Sequence, residues 1–105
     1  MIYDHRTYTC RAGTIRKHLD IYVEHGFAAQ IRHLGKPVLY AGTEVGDINS
    51  FVHVWAYDSV EERTRKRAAM QADPAWQNYL RLSAEAGYLI KQENKLLIPV
   101  PLPAG

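Results

Sequence analysis

The sequence predicts an α+β fold of the ferredoxin-like kind, βαββαβ, and three observations carry that prediction. Hydrophobic residues recur every second residue in four segments and every three to four residues in two others, in the order strand, helix, strand, strand, helix, strand. Turn and capping residues fall at the junctions between them. The chain has 105 residues, the length of one domain, so 1–105 is read as a single unit.

The first strand is "IYDHRTYTC", residues 2–10, which alternates and is rich in Tyr and Thr. Gly13 and Thr14 then supply a turn and an N-cap. From Ile15 the period changes: Ile15, Leu19, Tyr22, Val23, Gly26 and Phe27 mark one face of an amphipathic helix reaching about His33. Gly35 and Pro37 stop it. Residues 38–44, "VLYAGTE", read as a short second strand, with Gly42 as a weak point.

The third strand is "SFVHVWAY". After it, Ser59 and Glu62 stand at capping-box spacing, so a helix starts near Val60. It breaks at "QADPAW", where Asp73 can cap and Pro74 suits a first helical position. The second segment ends near Ala86 with Gly87 as its C′ residue. Residues 88–98 form a fourth strand with a polar middle, bent or bulged, and Pro99, Pro101 and Pro103 end it.

Composition excludes several functions. A net charge of +2 argues against a nucleic-acid binder that works by neutralising phosphates. The run Arg63, Arg65, Lys66, Arg67 reads as the wet face of a helix. No stretch approaches the roughly 18 apolar residues of a membrane span, and no signal-peptide pattern opens the chain. One cysteine, Cys10, permits no internal disulfide and fits a reducing compartment, so a cytoplasmic protein is expected. The five histidines show no metal-ligand spacing, and the chain has neither a phosphate loop nor a nucleophile elbow. No metal and no cofactor are expected.

The third strand has two unlike faces. Val52, Val54 and Ala56 are assigned to the helices. Phe51, His53, Trp55 and Tyr57 then fall on the open face, where burial of an aromatic is worth about 1.5–3 kcal/mol. A second copy packed sheet to sheet, as a C2 homodimer, would recover that energy and enclose a lumen. Asp4, Arg6 and Tyr8 of the first strand, and Tyr40, Gly42 and Glu44 of the second, are placed in the same lumen. The fourth strand adds Gln92 and Asn94, or Glu93, according to register. An aromatic cavity with a few convergent polar groups is the usual form of a small-molecule site.

Three segments together carry a resemblance: "VHVWAYDSVEERTRKRAAMQADPAWQNYL", "YDHRTYTCRAGT" and "GTEVGDIN". Over about Ile2 to Pro99 the chain resembles the NIPSNAP family. The most specific feature is His53-x-Trp55-x-Tyr57 followed by Arg63, Arg67, Asp73-Pro74 and Trp76. The resemblance implies a dimeric α+β barrel and matches Arg6, Tyr8, Glu44, His53, Trp55, Tyr57, Arg63 and Trp76 to the family pattern. His5 departs from it, an aliphatic residue being usual there. The chain looks like the small bacterial members, and the resemblance implies no established reaction.

The candidate chemistry centres on His53, the side chain suited to proton transfer near neutrality. Arg6 is placed beside it to stabilise an oxyanion. Tyr8, Tyr40, Glu44, Trp55 and Tyr57 are candidate ligand contacts. Two further readings stand alongside ligand binding: a cofactor-free oxygenase or isomerase using His53, and an interaction module with a packed lumen. Arg63 and Arg67, one turn apart, are expected to pair with Asp58 or Glu44 or to hold an anion. Trp76 is expected to anchor its helix in the core.

Overall fold

The structure is a computed structural model and describes residues 1–104. Four strands form one antiparallel sheet in the order β2-β3-β1-β4. They are β1 (Ile2–Cys10), β2 (Leu39–Gly42), β3 (Ser50–Tyr57) and β4 (Leu89–Leu97). Helix α1 (Ile15–Ile21) runs through a π turn (Tyr22–Gly26) into α2 (Phe27–Leu34), and α3 (Val60–Ala72) adjoins α4 (Pro74–Ala86). The smallest dimension is 18 Å, the thickness of one sheet and one layer of helices.

The junctions form by local chemistry. The Ser59 hydroxyl accepts a hydrogen bond from the Glu62 amide at 3.1 Å, and the Glu62 carboxylate accepts from the amide of Asp58. Asp73 accepts from the Ala75 amide at 2.8 Å with Pro74 in the first turn. Gly87 ends α4 in the left-handed region, at φ 68°, where glycine carries no steric penalty. The β1–β4 register shifts between Thr9 and Cys10, which is the irregularity expected of the last pairing.

The facing of the sheet is the reverse of the expectation. Trp55 and Tyr57 pack in one cluster with Tyr22, Ala29, Leu34, Met70, Trp76 and Tyr79, all from the helices. The aromatic face of β3 is therefore the helix face, and Val52, Val54 and Ala56 lie on the bare one. Alternation separates the two sets of a strand but is silent on which set the helices cover. The helices here are aromatic and polar on their inner side, so they match the aromatic set.

The strands nevertheless share a face as grouped. Asp4, Arg6 and Tyr8 stand opposite Trp55, His53 and Phe51, and Tyr40 stands opposite His53. Asn94 and Gln92 stand opposite Arg6 and Tyr8, so the register selects them and turns Glu93 to the bare face.

The first helix also differs from its predicted stripe. Val23 is 64% exposed and Phe27 42%, whereas His18, Tyr22, Gly26, Gln30 and Leu34 are buried. The π turn adds a residue to one helical turn and moves the buried face off the 3.6-residue pattern. Gly26 sits where this turn meets α4: a Cβ there would lie 2.8 Å from the Tyr79 ring, so only glycine permits the approach.

Candidate functional site

The site lies between the sheet and the helices of the same chain. A cavity of about 120 Å³ is bordered by Arg6 and Tyr8 of β1, Tyr40 of β2 and His53 of β3. His18, Tyr22 and Gln30 border it from the first helix, and Arg67 and Trp76 from α3 and α4. Its rim includes Gln71, Leu80 and Gln92, all exposed, so it opens where α3, α4 and β4 meet.

His53 is 2% exposed. Its ring stacks on Tyr40 at 4.8 Å and meets the edge of Tyr8 at 4.6 Å. Trp55 Nε1 donates to His53 Nδ1 at 2.7 Å. An indole N–H is a donor only, so Nδ1 is the unprotonated nitrogen and the neutral ring carries its hydrogen on Nε2. That Nε2 is buried with no hydrogen-bond partner. Burial first, and the positive charge of Arg6 second, push the His53 pKa down to about 3. The ring is thus held neutral, with its Nε2–H buried and without a partner.

In this arrangement neither ring nitrogen of His53 has a free lone pair with which to take a proton. One lone pair is committed to Trp55 and the other nitrogen already holds a proton. What the ring offers is a fixed hydrogen-bond donor.

Beside it lies a buried charge network. Asp4 is fully buried. Its Oδ2 accepts from Arg6 and from Arg63 Nε, both at 3.0 Å, and its Oδ1 accepts from Asn94 at 3.1 Å. Burial raises the Asp4 pKa, but the Asn94 bond and the two guanidiniums outweigh it and the net shift is downward. Arg6 also donates to the Tyr8 hydroxyl at 2.9 Å. Arg63 therefore pairs with Asp4, not with Asp58 or Glu44. Arg67 forms no ion pair among the described residues. Desolvation, then Arg6, lowers its pKa. Arg63 and Arg67 are half-buried, so half of the basic run lies against the sheet and is not a wet face.

A model of the NIPSNAP family matches residues 3–103. The chain belongs to the NIPSNAP family. A NipSnap homolog of Dictyostelium discoideum is 31% identical over 101 residues, which is 96% of this chain and 44% of that protein. The chain thus spans less than half of that curated relative. Among solved structures, a NIPSNAP family protein of unknown function from Agrobacterium tumefaciens is 35% identical with a TM-score of 0.88, over 98% of this chain and 91% of that one. A NIPSNAP domain protein from Burkholderia xenovorans is 30% identical with a TM-score of 0.88 over the whole of both chains. An antibiotic biosynthesis monooxygenase, 16% identical with a TM-score of 0.65 over 96% of this chain and 100% of that one, shares the fold.

The residues that match the NIPSNAP pattern do not all meet. Arg6, Tyr8 and His53 border the cavity together with Trp76, and Tyr40 joins them. Trp55 touches the cavity only through His53. Tyr57 is buried in the core, and its hydroxyl lies near Arg67 without a hydrogen bond of full geometry. Glu44 is exposed beyond the end of β2 and borders a separate groove with Arg16 and Asp20. Neither Tyr57 nor Glu44 is therefore a cavity residue. Glu44 continues the alternation on paper, but the strand stops at Gly42.

Among the cavity residues absent from the expected site are His18, Tyr22, Gln30 and Arg67. The first three lie four or eight residues apart on the first helix, a spacing hidden by the unforeseen π turn. Tyr22 donates to Gln30 within the core, and His18 stacks on Phe51 at 5.6 Å. Cys10 is buried, and burial raises its thiol pKa, the opposite of an activated nucleophile.

Proposed function

We propose that this NIPSNAP chain is a small-molecule-binding domain whose site is the cavity between its sheet and its own helices. A second copy packs on the bare sheet face, as a homodimer. The observation that carries the reading is the His53 Nε2–H, buried and unpartnered at the cavity wall. Leaving such a donor unsatisfied costs about 1–3 kcal/mol, and a ligand acceptor removes that penalty. The ring is locked in this tautomer by Trp55, which is the preorganisation a binding site uses. If a reaction follows binding, His53 serves it by hydrogen-bonding a developing oxyanion.

Native mass spectrometry of the purified protein, wild type and His53→Ala, tests the reading. A small molecule retained by the wild type and lost from a folded His53→Ala supports it. Equal retention by both moves the site away from His53. A Tm change in the variant, with no ligand in either protein under any loading condition, favours the interaction-module reading. Light scattering that gives only the 12.0 kDa monomer mass at micromolar concentration would remove the homodimer.

A further inference from the structure

We infer that the ligand of this cavity is a small planar carboxylate whose anionic oxygens sit between the Arg67 guanidinium and the His53 Nε2–H. The inference rests on the cavity being the binding site and adds the charge and size of what it takes.

The charge count comes first. Three guanidiniums, Arg6, Arg63 and Arg67, converge on this end of the sheet, and Asp4 is the carboxylate among them. Asp4 is fully occupied: Arg6 and Arg63 share one oxygen and Asn94 takes the other. No acidic side chain borders the cavity, whereas Arg6 and Arg67 both do. Arg67 is therefore a half-buried cation facing a space with no anion. Holding a charge in such surroundings is costly unless it is paired, and a guanidinium matches a carboxylate in shape as well as charge.

The second point is the kind of polar group present. His53 borders the cavity with its acceptor nitrogen committed to Trp55 and its Nε2–H buried without a partner. Gln71 and Gln92 at the rim can donate as well. Two guanidiniums and no carboxylate in the lining favour a negatively charged head group.

Size and wall chemistry set the body of the ligand. A dry engineered cavity of about 150 Å³ in another protein holds benzene. Here about 120 Å³ is available, open at the rim. The walls include Tyr22, Tyr40, Trp76 and Tyr79, which suit the flat face of an unsaturated or aromatic body. Benzoate is the simplest probe of that shape.

The test is isothermal titration of the full chain at neutral pH with benzoate and with its neutral isostere benzamide, for the wild type, Arg67→Gln and Arg67→Lys. Wild type is expected to prefer benzoate by roughly tenfold or more, the scale of one charge-assisted hydrogen bond. Arg67→Gln is expected to lose that preference while its benzamide affinity stays put, and Arg67→Lys to keep part of it. If benzamide binds the wild type as well as benzoate does, or if the preference survives Arg67→Gln, the carboxylate inference falls and the cavity reading stands. If neither probe binds the wild type and neither moves its Tm, the carboxylate inference falls, and the cavity reading is decided by native mass spectrometry of wild type and His53→Ala. The wild-type comparison decides the matter even if a variant does not fold.

Discussion

On the covered face of the sheet, Asp4, Arg6, His53 and Trp55 sit under helices. On the bare face, Thr7, Val52 and Ala56 are half-buried and Val54 is buried. A charged network occupies the side with little water, whereas the open side joins small and β-branched residues of β1 and β3 to an exposed charged run on β4. The contrast separates two kinds of interaction. The covered face is specified by hydrogen bonds of fixed geometry, with His53 Nε2, the Tyr57 hydroxyl and Trp76 Nε1 left unpartnered among the described residues. The bare face is aliphatic along β3 and carries the exposed Lys91–Glu93 pair and Lys95 along β4.

If this contrast is right, the largest stability effect belongs to the covered face. Asp4→Ala leaves Arg6 and Arg63 facing each other without their shared carboxylate, and should cost about 3–5 kcal/mol, measured by urea unfolding. A loss below about 1 kcal/mol would mean that solvent reaches the network. Next comes Gly26→Ala. The added Cβ meets the Tyr79 ring, and overpacking of this kind costs about 1–3 kcal/mol. A neutral result would show that α4 can retreat from the π turn.

Trp55→Phe sharpens the comparison at one hydrogen bond. It keeps an aromatic ring but removes the N–H on His53 Nδ1, at a cost of about 1–2 kcal/mol. Nitrogen NMR of the ring should then show loss of the single Nε2–H tautomer seen in the wild type. An unchanged spectrum would mean that something other than Trp55 sets the tautomer.

Acid titration probes the same ring more gently. Arg6, Tyr8, His18, Tyr40, Trp55 and Arg67 surround it. Its folded pKa, about 3, lies below the ordinary 6.5. Between those values the unfolded chain binds a proton that the folded ring does not. Stability therefore falls as pH drops through this window, and His53→Gln should flatten the slope. Some slope will persist from His18, whose pKa burial also lowers. The Asp4 contribution disappears only below its ordinary 3.8. A slope identical in His53→Gln would remove His53 from the acid response.

The smallest effect on the isolated fold is expected on the bare face. Val52→Lys should leave thermal unfolding of the monomer within about 0.5 kcal/mol, as for a surface change, while dissociating any pair that uses this face. Sedimentation before and after the substitution reads this directly. A variant that stays dimeric would place the contact elsewhere.

These tests also mark what the sequence made legible. The four strands, the Ser59 and Asp73 caps and the Gly87 stop were readable because each depends on neighbours in the chain. The grouping of Asp4, Arg6, Tyr8, Tyr40 and His53 was readable too, since alternation assigns residues to a common side. The choice of side was not, because it depends on how aromatic the inner faces of distant helices are. Arg67 was seen as half of a pair with Arg63. That Asp4 takes Arg63 and leaves Arg67 is settled by three-dimensional reach, which spacing along one helix does not encode.

The π turn has a further consequence. The buried positions from His18 to Leu34 advance in steps of four, and a regular helix turns about 100° per residue. Four such steps would drift by roughly 160° and carry Leu34 nearly to the opposite side. The widened turn absorbs part of that drift, like a leap day keeping a calendar in season. The helix is therefore intolerant of length change at this point. Removing one residue between Tyr22 and Gly26 would put everything after it out of phase and part Tyr22 from Gln30, with no side chain of the cavity itself altered.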